Sequence, residues 1–133
     1  MFIRFVSGQI DEYSHVLTGV FSAANELWEK DEVPEYELEA LEDMQAWFNL
    51  NLWSPFDFLP HSEMYDRAIC WFKPTAREHI ARAWQLASIL ERNDVFIWVI
   101  KSPRTGYVYY EDEEQVFAEP FSDERFRLKR LRL

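Results

Sequence analysis

The sequence predicts an α+β fold, a single two-layer domain in which three helices cover a mixed sheet of four to five strands. Three observations carry that expectation. Residues 68–110 read as strand, helix, strand, tight loop and strand, which is a βαβ unit followed by a hairpin. The strands on either side of the unit's helix are apolar at consecutive positions, Ala68 to Phe72 and Val95 to Ile100, as in strands covered on both faces. Upstream, two segments with helical period are separated by only a few residues around Pro34, which makes them antiparallel neighbours.

Taken in order, residues 2–6 are short, apolar and bounded by Ser7-Gly8, a strand, and 9–17 are polar and mixed, a loop. Thr18 or Ser22 suits the cap of a first helix that places Val20, Phe21, Ala24, Leu27 and Trp28 on one face. Pro34 fits the first turn of a second helix, with Leu38, Leu41, Met44 and Phe48 on its stripe and Glu35, Glu39, Glu42 and Asp43 opposite. Periodicity then vanishes over 49–67, where Pro55 and Pro60 interrupt Trp53, Phe56 and Phe58. A loop of this length either covers the sheet or carries function.

In the central unit, Thr75 and Glu78 have capping-box spacing at the start of a helix over 75–92. Its core face is Ala76, Ile80, Ala83, Trp84, Ala87 and Leu90, widened by Leu86 and Ile89, and Asn93 suits a left-handed end. If the flanking strands pair in parallel, the crossover is right-handed. Residues 102–106 turn the chain, 107–110 return antiparallel, and the acidic turn 111–114 leads into a last strand over 115–118. The globular domain spans 1–124, and 125–133 form a basic tail, a short amphipathic or disordered segment.

Composition narrows the function classes. The chain of 133 residues carries 24 acids and 14 bases, a net −10. Five of the bases (Arg125, Arg127, Lys129, Arg130, Arg132) lie in the tail, so the body is more acidic still. Such a body repels nucleic acid and anionic membranes. No apolar run is long enough to span a membrane, no signal sequence is evident, and the lone Cys70 has no disulfide partner, so the expected location is cytoplasmic. Aromatic residues reach 17%, more than one thin layer needs, which points to a homodimer.

No residue pattern specifies a cofactor, a metal or a catalytic group. His15, His61 and His79 are too scattered for a local metal motif, and Cys70 sits mid-strand. In a sheet with a parallel βαβ unit, ligands collect beyond the carboxyl ends of the strands. Those ends carry Lys73, Thr75, Arg77 and His79 on one side and Lys101, Ser102 and Arg104 on the other, joined by Ser7 and Gly8 if the first strand is parallel. Four of the nine cations of the body thus gather at one rim, and Arg77 occupies a first helical turn where an anion would offset its charge. The chemical reading is a phosphate or carboxylate site; the plainer one is a solvated rim paired with nearby acids. There is no glycine-rich phosphate loop. Likewise the stripe of Glu35, Glu39, Glu42 and Asp43 is either a solvated helix face or a surface for a basic protein, as in acidic inhibitors and nucleic-acid mimics. The basic tail, for its part, has an acidic body to dock on, its own or a sister subunit's.

Finally, Trp71-Phe72-Lys73-Pro74 with Ala76-Arg77-Glu78, and Gly106-Tyr107-Val108 with Tyr110-Glu111-Asp112, Gln115-Val116 and Ala118-Glu119-Pro120-Phe121, resemble a family of small hypothetical bacterial proteins with no assigned function. The likeness extends loosely to Phe5-Val6 and Gly19-Val20-Phe21. It implies a bacterial origin and a single-domain family, and it brings no ligand or catalytic residue. The first expectation is therefore a non-enzymatic interaction or regulatory domain.

Overall fold

A computed structural model describes residues 1–10, 17–54 and 68–121. The elements run β1 (Phe2–Ile10), β2 (Leu17–Gly19), α1 (Val20–Lys30), α2 (Glu35–Asn51), β3 (Ile69–Phe72), α3 (Arg77–Arg92), β4 (Ile97–Ser102), β5 (Tyr107–Glu111) and β6 (Gln115–Glu119). Three helices and a six-stranded sheet make an α+β domain.

The strand order departs from the expected parallel neighbours. β1 pairs antiparallel with β4 along Phe2↔Ser102 to Ser7↔Ile97, and antiparallel with β3 at Ile3↔Phe72. β3 and β4 therefore run the same way but flank β1, and every ladder among the described residues is antiparallel. The sequence could not separate these arrangements, because a strand inserted between two apolar strands leaves their hydrophobic pattern unchanged. A strand has two edges, so β2, meeting Val6, and β3, meeting Ile3, share the edge of β1 that β4 leaves open. Beyond β3 lie β6 and then β5. The expected hairpin is also displaced: β5 pairs with β6, not with β4.

β4 and β5 thus lie at opposite edges of the sheet, yet only residues 103–106 join them. Five extended steps reach about 18 Å, whereas a flat sheet five strands wide would hold those edges about 19 Å apart before any offset along the strands. Ser102 and Tyr107 also lie at opposite ends of the sheet, opposite Phe2 and Glu119 respectively. The sheet must coil, as twisted antiparallel sheets with bulges do. Register shifts occur in β1 between Val6 and Ile10 and in β5 between Val108 and Tyr110.

The two faces hold separate cores. Phe5, Phe72 and Val99 meet Val20, Ala24, Leu27, Leu41, Phe48, Ala83, Leu86 and Leu90 from the three helices. The other face, turned inward by the coil, gathers Val6, Leu17, Ile69, Trp71 and Ile100 with Phe2 and Trp98. Trp71 is 1% exposed at its centre, and Arg4 lies on the same face, opposite Ile100. Gly8 serves this packing, since a Cβ there would stand 2.8 Å from the Trp98 ring. The question of what meets the second apolar face thus has a partial answer in the sheet's own curvature.

Several local details differ from expectation. Gln9 and Ile10 extend β1 instead of opening a loop, and α2 runs through Asn51. Neither Thr18 nor Ser22 caps α1, because Thr18 is in β2 and the N-cap is Gly19. The Thr75–Glu78 box does not form: the chain turns once more through Ala76 N–H to Lys73 O and Arg77 N–H to Thr75 O, which moves the N-cap to Ala76. At the other end Asn93 is not left-handed; Asp94 takes that conformation at φ 66°, and Asn93 Nδ2 donates to Ile89 O. The strands β4, β5 and β6 begin or end one or two residues from the expected positions. His15, Phe56, Phe58, His61 and the basic tail lie outside the described residues.

Candidate functional site

The expected rim is built by the ends of β3 and β4, which flank the start of β1. Because β1 is antiparallel to both, Ser7 and Gly8 lie at the opposite end of the sheet and do not join it. Within the rim, several groups are already engaged. Lys73 Nζ is 2.6 Å from a carboxylate oxygen of Glu111, and its backbone N–H donates to Glu114 O. Ser102 Oγ donates to Arg104 O at 2.6 Å and accepts from Arg104 N–H at 3.2 Å, a closed local turn. The Arg104 guanidinium stacks 5.1 Å over the Phe121 ring, which itself meets Tyr107 edge-on at 4.7 Å. Thr75, Arg77 and Lys101 are exposed.

His79 stands apart from these groups. Its Nε2 is 2.7 Å from Asn51 O, and because a carbonyl only accepts, that nitrogen carries the proton. The ring packs at 5.0 Å against Trp47, over which Arg82 also lies at 4.9 Å. His79 thus closes the seam where α2 ends beside the start of α3, a packing role with no free nitrogen directed at the rim through Nε2.

The acidic stripe of α2 faces solvent: Glu35, Glu39, Glu42 and Asp43 are exposed. Glu42 accepts from Trp28 Nε1 at 3.0 Å, so part of the stripe ties α2 to α1. Sequence reasoning missed Glu37 in the same helix. It is only 6% exposed and receives both Nε (2.7 Å) and Nη2 (3.0 Å) of Arg92, joining the start of α2 to the end of α3. The hydrogen bond from Arg92 holds the Glu37 carboxyl below its ordinary range, against a smaller desolvation effect.

The acidic turn is structural as well. Asp112 Oδ1 accepts the backbone N–H groups of Glu114 and Gln115, both at 2.9 Å, while Oδ2 accepts from Tyr110 Oη at 2.9 Å and Gln115 Nε2 at 3.1 Å. Burial alone would raise this carboxyl, but the four donors together leave it lowered. Buried Gln115 also donates to Trp53 O, and the Trp53 ring stacks on Tyr110 at 4.5 Å. Desolvation first, then the bond to Asp112, pushes the Tyr110 phenol up to about 12. A run of four charged letters, 111–114, conceals this arrangement in the sequence.

Cys70 lies in β3 with its thiol pushed up to about 12, by desolvation first, so it is not poised as a nucleophile. Among the described residues, no group of three His, Cys, Asp or Glu could hold a metal ion. Nor is any described helix long and apolar enough to cross a membrane.

A different surface has the makings of a contact site. α3 leads into β4, and the exposed positions in its middle, Ala81, Trp84, Gln85 and Ser88, carry no charge, whereas Arg77, Glu78, Glu91 and Arg92 are exposed at its ends. Trp84 is 54% exposed although one side of its ring meets Phe5 at 5.1 Å, and Phe96, just before β4, is 71% exposed. Searches against family models, curated proteins and solved structures gave no match.

Proposed function

We propose that this protein is a non-enzymatic interaction domain that works by presenting the α3–β4 edge to another polypeptide, in the cytoplasm of a bacterium. The observation that carries this reading is the exposure of Trp84 and Phe96 beside the uncharged middle of α3, on a chain of net −10. Protein contacts favour aromatic residues and exclude charge at their centres, and two exposed aromatics beside an uncharged helix segment fit that pattern. Much of the rim's polar chemistry, by contrast, is spent on internal partners. A photo-crosslinker at Ser88 in the native cell is expected to capture a polypeptide, and Phe96→Glu to abolish capture. Crosslinking only from a probe at Glu39 would move the function to the acidic face of α2 and a basic partner.

One observation favours a second reading, a phosphate- or carboxylate-bearing ligand at the rim. Arg77 is exposed in the first turn of α3, whose N-terminus has no side-chain cap. A ligand at 100 times its dissociation constant would stabilise the fold by about 2.7 kcal/mol. Thermal shift with phosphate, sulfate and nucleotides measures this, and a shift unchanged by Arg77→Ala with Arg104→Ala would sink the rim.

A further inference from the structure

We draw no further inference here: the strongest candidate, the exposed surface patch of Trp84 and Phe96 beside the middle of α3, belongs to the site already described, and nothing in the structure shows what covers it.

Discussion

The two outer strands of the sheet are finished in opposite ways. β5 is kinked by its register shift at Tyr109, and the turn beyond it is closed by four hydrogen bonds to Asp112. It is flanked by the Lys73–Glu111 pair, by Tyr109 Oη donating to Glu119 at 3.0 Å, and by Trp53 stacked on Tyr110. β4 has a regular ladder, one lysine, and two exposed aromatics beside it. Among the described residues, polar side chains are concentrated at the turn beyond β5, although Tyr107 and Val108 of β5 are themselves exposed, and they are sparser along β4. The difference predicts that substitutions near β5 act on stability, while those near β4 act on association.

The largest effect is expected at the entry to β5. Gly106 has φ +119°, a region that side chains avoid, and an added Cβ would stand 2.0 Å from the backbone oxygen of Glu119. Neither strain nor clash can be relieved without moving β6, because the obstacle is main chain. Gly106→Ala should cost about 4 kcal/mol or more, at the exceptional end for single substitutions. A denaturation midpoint near that of the parent protein would show that this corner is not fixed.

Next in size is Asp112→Ala, which strands two backbone N–H groups and removes the acceptor for Tyr110 and Gln115. Leaving such groups unsatisfied costs about 1–3 kcal/mol each when buried; with partial exposure, a total of about 2–4 kcal/mol is expected. Chemical denaturation measures it, and loss of the Trp53–Tyr110 stack should register in near-ultraviolet circular dichroism. An Asp112→Ala protein as stable as its parent would remove the contrast between the two edges.

How much of this contrast was legible beforehand depends on what each signal needed. The helices were readable because Leu41, Phe48, Ala83, Leu86 and Leu90 repeat at helical spacing and each ended up buried. Strand existence was readable from β-branched and aromatic runs, but strand order was not, since nothing local in Ile69–Phe72 or Ile97–Ser102 records that β1 lies between them. At the rim, Lys73 and Arg104 follow β3 and β4 while Lys101 lies within β4, and their engagement depends on contacts such as Lys73 with Glu111 and Arg104 with Phe121, which arise only after β5 and β6 join the sheet. Asp112 and Glu37 were hidden for a related reason. In an acidic sequence, a carboxylate that must be buried looks like one that is merely dissolved.

Acidity offers a gentler probe of the same two carboxylates. Both Asp112 and Glu37 are held below their ordinary values in the folded chain. A depressed folded value means that the unfolded chain takes up protons first as pH falls. Their stabilisation is therefore complete above the ordinary carboxylate range and is lost as pH drops through the lowered folded values. Stability measured from neutral toward acid pH should decline through that window. Glu37→Gln and Asp112→Asn should each flatten the decline, and a decline left unchanged by both would assign it to other carboxylates.

The smallest change in stability is expected where the change in behaviour is largest. Phe96 is mostly exposed and lies just before the regular part of β4, so Phe96→Ser removes little buried surface. Surface substitutions of this kind fall within about 0.5 kcal/mol of neutral. If the β4 edge is an interface, the same variant should still lower association with the partner, because an aromatic side chain excluded from water in the complex would lose that burial. Unfolding midpoint and crosslinking from Ser88 should thus separate: the first nearly fixed, the second reduced. For Asp112→Ala the pattern should be reversed, with a lower midpoint and unchanged association whenever the chain is folded. If both variants move both quantities together, the two edges are not independent, and the coil of the sheet that brings them toward each other through residues 103–106 would be the coupling element.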